Sequence, residues 1–251
     1  RPVGLYENSL YKITFLPQTT NMPGKILVGN NNISTEKSGF GTYKAGDRIT
    51  FDIGRSNLSL DPQSLCFEGK IVPETGNTLL IENTQKIINR LNITDMYGNI
   101  IETIPEYDMN VSLLYELYMN NTQRSEREID ESLKMTSVTT LSPLKFKIQI
   151  YSRVIGSTIE EICNIPLLSG KTTANFKGMP LIPLKIFKNG LKVEIELNEF
   201  AFKTQSSSAV LGNKSTVAQA VSYRVEYPIL TCDQFKLSET QENSIIGNYF
   251  F

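Results

Sequence analysis

Short runs that alternate apolar and polar residues, each stopped by turn residues, constrain this chain more than any other feature. The clearest is Leu144-Lys145-Phe146-Lys147-Ile148-Gln149-Ile150-Tyr151, with Leu144, Phe146, Ile148 and Ile150 on one side and Lys145, Lys147 and Gln149 on the other. A period of two suits a strand with one buried face and cannot form an apolar helical stripe. The pattern recurs in Asp47–Ile53, where Ile49, Phe51 and Ile53 align, and in Leu65–Ile71, where Leu65, Phe67 and Ile71 do. Thr78–Ile81, Ile87–Ile93, Ile100–Ile104, Leu191–Leu197, Val221–Leu230 and Gln234–Leu237 extend the series. Asp61-Pro62, Pro73, Gly76 and Tyr97-Gly98-Asn99 mark turns between them. Asn189-Gly190 predicts a hairpin joining 185–188 to 191–197. With no repeat of fixed period, many short strands at close spacing imply an all-β fold, an antiparallel β-sandwich.

The pattern breaks twice. Residues 1–40 carry Pro2, Pro17, Pro23 and the run Asn30-Asn31-Asn32, and read as an N-terminal arm. Within it Tyr11, Ile13 and Phe15 alternate, as in a strand added to a sheet edge of this chain or of a neighbour. Around 108–135, Leu113, Leu114 and Leu117 take helical spacing, followed by a mixed-charge run from Arg124 to Lys134. The stretch reads as a short helical insertion with a solvated charged face. The expected organisation is an arm over 1–40, a sandwich over 41–237, a loop near 204–216 and a C-terminal tail over 238–251.

Composition bears chiefly on chemistry. There is no histidine among the 251 residues. That removes Ser-His-Asp and Cys-His nucleophile systems, HExxH zinc sites and the commonest acid–base side chain at neutral pH. Cys66, Cys163 and Cys232 are too few and too far apart for a disulfide framework, and are expected as reduced thiols from a reducing compartment. Glu194 and Glu196 share one face of a strand, a spacing that sandwich glycoside hydrolases could use, but they read better as the polar side of an amphipathic strand. No phosphate loop, calcium loop or zinc spacing is present, so no catalytic residue, metal or cofactor is expected.

Net charge is −1, from 25 basic and 26 acidic residues. Residues 1–40 hold Arg1, Lys12, Lys25 and Lys37 against Glu7 and Glu36, so no basic arm for direct nucleic-acid binding is expected. No apolar run approaches the length of a membrane-spanning helix. The chain opens on Arg1 without a signal-like segment, as expected of a processed chain or the ordered part of a longer one. Sequons beginning at Asn32, Asn57, Asn92, Asn110, Asn120 and Asn213 read as chance triplets in an Asn- and Ser/Thr-rich chain.

Several stretches taken in order resemble a known family. They are Gly46-Asp47-Arg48-Ile49-Thr50-Phe51-Asp52-Ile53, Leu60-Asp61-Pro62-Gln63-Ser64-Leu65-Cys66-Phe67, Ile88–Ile93 leading to Tyr97-Gly98, and Glu106-Tyr107. Later come Ile165-Pro166-Leu167, Ile182-Pro183-Leu184 and Asn189-Gly190-Leu191-Lys192-Val193-Glu194-Ile195. Together they resemble the first jelly roll of major capsid proteins of polinton-like viruses, virophages and related double-jelly-roll DNA viruses, over roughly residues 40–237. That family's chain is about twice as long and carries a second jelly roll, whereas this one ends soon after Tyr223–Pro228. A fragment, a single-jelly-roll relative and a vertex protein all remain open.

The resemblance implies jelly-roll topology and a non-enzymatic shell subunit of a virion. Its partners would be copies of itself, as a homotrimer or homopentamer, and other capsid proteins. A carbohydrate- or receptor-binding sandwich is the alternative, and a sandwich glycoside hydrolase the third. The residues expected at an assembly interface are Tyr6, Leu10, Tyr11, Ile13, Phe15 and Leu16 in the arm and Tyr249, Phe250 and Phe251 in the tail. Such apolar groups, gathered where no core can form, leave a patch that soluble monomers avoid.

Overall fold

A computed structural model describes residues 10–18, 41–74, 78–81, 83–118, 125, 136–152, 154–156, 181–204, 222–238, 240 and 243. Its strands are β1 (Leu10–Phe15), β2 (Thr42–Lys44), β3 (Arg48–Ile53), β4 (Ser59–Leu60), β5 (Cys66–Pro73), β6 (Leu79–Ile81) and β7 (Ile88–Asp95). They continue as β8 (Ile100–Ile104), β9 (Thr136–Val138), β10 (Leu144–Gln149), β11 (Ile182–Pro183), β12 (Leu191–Leu197), β13 (Lys203–Thr204) and β14 (Tyr223–Phe235). A helix, α1 (Tyr107–Tyr118), follows β8.

Two sheets form the sandwich. In one, β2, β14, β5 and β10 are neighbours in that order; in the other the order is β3, β12, β7, β8. Numbered along the chain as β2, β3, β5, β7, β8, β10, β12, β14, the sheets read 1-8-3-6 and 2-7-4-5. Strands distant in sequence thus lie side by side, all antiparallel, in two interleaved Greek keys. This is the jelly-roll order. The expected all-β sandwich of jelly-roll topology is borne out. Strands β13, β6 and β9 make a third, small sheet.

Alternation decides which faces meet. Ile49, Phe51 and Ile53 of β3, Leu91 and Ile93 of β7, and Leu191, Val193, Ile195 and Leu197 of β12 line one inner face. Phe67 and Ile71 of β5, Phe146 and Ile148 of β10, and Tyr223, Val225, Leu230 and Cys232 of β14 line the other. The sheets touch through aromatic rings. Phe51 meets Phe67 edge-on at 6.1 Å across the sheets, and within its own sheet Phe67 meets Phe146 at 5.3 Å. Phe146 pairs with Gly69 across the strands, and a Cβ at Gly69 would lie 3.1 Å from its ring. A bare glycine makes room for the aromatic at that point.

One expectation needs correction. Residues 185–188 do not form a hairpin with β12. Residues 184–186 make a 3-10 turn, and Gly190, at φ +94°, donates its N–H to the Phe187 carbonyl and leads into β12. Both edges of β12 are already taken, by β3 and β7, so no edge is left for a local partner. The last signals, over 221–230 and 234–237, read as a final strand or strands, and they form a single element. Residues 223–235 form one 13-residue strand, bulged between Glu226 and Ile229, with Tyr227 at φ 53°.

Phe67 sits at the junction of the two sheets with no exposure. Phe67→Ala is expected to lower the unfolding free energy by about 3–5 kcal/mol in urea denaturation. Leu141→Ala, at a side chain 96% exposed, should change it by less than about 0.5 kcal/mol.

Candidate functional site

The arm crosses from one sheet to the other. β1 pairs antiparallel with β14 in the register Leu10↔Phe235 to Phe15↔Leu230, so the strand reading of Tyr11, Ile13 and Phe15 is realised here on this chain's own sheet edge. Two residues on, Pro17 bridges to Phe51 on β3, and Gln18 N–H donates to the Thr50 carbonyl at 2.7 Å. The segment therefore straps the open side of the sandwich. Ile13 and Phe15 are half-buried and pack on the core. Leu10, Tyr11 and Leu16 stay 47%, 43% and 51% exposed. Tyr6, Tyr249, Phe250 and Phe251 lie outside the described residues, as does residue 163.

A second apolar surface lies on α1, within the expected helical insertion, of which 119–124 and 126–135 lie outside the described residues. The helix carries two apolar stripes. Tyr107, Val111 and Tyr115, spaced four apart, are buried. Each tyrosine also finds a polar partner: Tyr151 N–H donates to Tyr107 Oη at 2.8 Å, and Gln85 Nε2 donates to Tyr115 Oη at 3.1 Å. Met109, Leu113 and Leu117, also spaced four apart, are more than half exposed. The leucine spacing locates the helix, but a helix that is apolar on two sides does not declare which side turns in. A tyrosine stripe is the better sign, because it can bury a ring and still satisfy its hydroxyl. Tyr97, Ile100 and Ile101 at the turn between β7 and β8, and Phe200 after β12, are exposed as well.

The carboxylates of β12 face outward and are engaged by cross-strand neighbours. Glu194 Oε1 accepts from Asn92 Nδ2 at 3.0 Å, and Arg48 stands 3.9 Å away. Glu196 Oε1 accepts from Asn89 Nδ2 at 2.8 Å, and its Oε2 accepts from Arg48 Nε at 3.1 Å. Each carboxylate has an amide and a guanidinium beside it, an arrangement suited to tying strands together. Among the described residues, no three Cys, Asp or Glu side chains gather as metal ligands, and no helix is long and apolar enough to cross a membrane.

A half-buried carboxylate and a buried thiol show how the interior treats charge. Asp108, in the first turn of α1, accepts from Asn198 Nδ2 at 2.9 Å, while Asn198's carbonyl accepts from Tyr223 Oη at 2.7 Å. Burial raises the Asp108 pKa above the usual carboxylate range, outweighing the backbone N–H bonds that lower it. Cys66 and Cys232 are buried thiols. Burial pushes the Cys232 thiol up to about 12, partly offset by the Gln234 amide that donates to its sulfur.

No family model matches the sequence, and neither does any curated protein. Solved structures do match. The quasi-atomic model of the PBCV-1 virus capsid superposes with a TM-score of 0.52 at 12% identity, over 94% of this chain and 44% of that chain. The crystal structure of PBCV-1 VP54, fitted into a cryo-EM reconstruction of the virophage Sputnik, gives 0.53 at 12%, with the same 94% and 44%. The chain has a viral capsid jelly-roll fold. It spans less than half the length of the capsid chains it matches. Jelly-roll topology and the resemblance to capsid proteins of virophage-type viruses are thus borne out as a matter of fold.

Two outcomes follow from the buried groups. A thiol reagent at pH 8 should leave Cys66 and Cys232 unmodified in the native protein and titrate all three thiols after denaturation. The second concerns Asp108, whose folded-state pKa is raised. Its contribution to stability is present below the unfolded carboxylate pKa and is lost as pH rises through the folded value. The stability of the natural protein relative to Asp108→Asn should therefore fall between pH 3 and pH 7, read as urea midpoints at each pH.

Proposed function

We propose that this chain is a non-enzymatic capsid subunit that tiles a closed, symmetric viral shell. The observation that carries the reading is the pair of strand orders 1-8-3-6 and 2-7-4-5, superposable over 94% of this chain on virus capsid chains. Two stacked sheets make a rigid wedge whose edges, turns and arm stay free to meet neighbours. Exposed apolar side chains on the arm, on α1 and at the turn between β7 and β8 support this role. The carboxylates nearest to a hydrolase pair are engaged in cross-strand bonds, which favours a mechanical role over catalysis.

In this reading residues 1–40 are an arm, 41–237 the wall of the shell and 238–251 a tail. The assembly interface comprises Tyr6, Leu10, Tyr11, Ile13, Phe15 and Leu16 together with Tyr249, Phe250 and Phe251. The partners are copies of the same chain, as a homotrimer or homopentamer, and other capsid proteins, without direct contact to nucleic acid. The mature location is the virion, after folding in a reducing compartment of the host. Each large apolar side chain buried between subunits is worth roughly 1.5–3 kcal/mol, so a few suffice to drive association.

Sedimentation equilibrium at micromolar concentration tests the proposal. The full chain should sediment as an oligomer, and removal of residues 1–35 should shift it to monomer. A full chain that is monomeric, and unchanged by that deletion, would contradict it.

A further inference from the structure

We propose that β1 is an exchanged strand: in the assembled protein, the β1 of a second copy of this chain occupies the edge of β14, in the register that β1 takes on its own chain here. The inference rests on the assembly reading and names the contact through which it works.

The seat itself is indifferent to which chain fills it. It is made by the backbone of residues 230–235 of β14, which pair with Leu10–Phe15, and by the backbone of β3, which receives Pro17 and Gln18. An identical segment arriving from another copy would form the same hydrogen bonds and place the same Ile13 and Phe15 against the core. Such exchange of one element between identical chains requires a connection that can span two bodies. The 22 residues numbered 19–40 join Gln18 to Gly41. Fully extended they reach about 70 Å. A compact body of this size has a radius of gyration of about 18 Å. A tether of that length lets the arm sit on its own body or on an adjacent one.

Two further features favour the exchanged form in an assembly. Leu10, Tyr11 and Leu16 remain about half exposed when β1 sits on its own sheet. A second body drawn alongside by the swap would cover them. The other feature is the seat left behind. If β1 departed without replacement, six residues of β14 would present unpaired N–H and C=O groups beside an apolar trough, which invites indiscriminate strand pairing. Reciprocal filling around a closed ring leaves no seat open.

The register supplies the test. Ile13 lies directly opposite Cys232. Directly opposed residues have Cβ atoms about 4.5–5.5 Å apart, close enough for a disulfide after a small adjustment. In a Cys66→Ser, Cys163→Ser background, Ile13→Cys leaves one thiol on β1 and one in its seat. The assembled protein is oxidised and run on a denaturing, non-reducing gel. Bands at multiples of the 28.2 kDa chain are expected, collapsing to one band on reduction. A disulfide closed within single chains of the assembled protein would overturn the exchange while leaving the shell reading intact. A protein that never assembles would sink both. Should Ile13→Cys not fold or not oxidise, the paired variant Thr14→Cys with Thr231→Cys asks the same question, because those residues are also register partners. A companion measurement reads the converse. Chains oxidised at high dilution, with β1 pinned to its own sheet, should fail to assemble until reductant is added, and assembly of the pinned chains would equally refute the exchange.

Discussion

Everything in this fold depends on the hydrogen-bond demands of one long strand. β14 has 13 residues and two edges, and every backbone group on a buried edge needs a partner. On one side it pairs with β5 and, at its end, with β4; on the other with β2 and then β1. Its inward residues Tyr223, Val225, Leu230 and Cys232 belong to the core. The bulge at Tyr227-Pro228 divides the strand, so that β2 binds ahead of the bend and β1 beyond it. Tyr223 carries the same strand's influence to the opposite sheet. Its hydroxyl donates to the carbonyl of Asn198, just past β12, and Asn198's side chain donates to Asp108 on α1. Three residues, Tyr223, Asn198 and Asp108, thus tie both sheets and the helix together.

Exposed apolar and polar side chains are unevenly placed on the sandwich. The outer faces are laced with polar cross-strand contacts, such as Arg48–Glu196 on one sheet and Lys147–Glu68 on the other. Exposed pairs of this kind contribute little to stability and keep a broad flat face wettable. Large apolar groups left in water include those of the arm, the outer side of α1 and the turn between β7 and β8, with Leu141, Phe200 and Tyr227 elsewhere. In the proposed shell, a body built this way would meet its neighbours through its margins rather than its faces.

Much of this was legible in the residues. Leu144–Gln149, Arg48–Ile53 and Leu191–Leu197 declare themselves because one face of each is buried and the other is wet, the condition that produces alternation. The Asn189-Gly190 signal misled because turn chemistry is local, while the partners of β12 come from about 140 and 100 residues earlier. Local sequence cannot say that both edges of a strand are reserved for distant segments. The short strands β4, β9, β11 and β13, two or three residues each, are too brief to carry a period and exist only through their neighbours. On α1 the spacing of Leu113 and Leu117 was visible. Their exposure was not, since it follows from Tyr107, Val111 and Tyr115 taking the inner side. In the arm, alternation at Tyr11, Ile13 and Phe15 was enough to suggest an edge strand, but the crossing at Pro17 and Gln18 depends on β3 and has no signature of its own.

The interleaved strand order has a consequence for synthesis. β2 is made early, yet its partner on the sheet, β14, lies about 180 residues later in the chain. Pairings of such separation form slowly, because the intervening loop must close before any contact rewards it. A ribosome translating this chain therefore completes β3, β5, β7 and β12 well before the strand that unites β1, β2, β4 and β5 has emerged. Until residues 223–235 are free of the exit tunnel there is no edge on which any β1 can settle. Synthesis past residue 235 thereby acts as a checkpoint: before it, a half-made molecule lacks the edge on which β1 pairs.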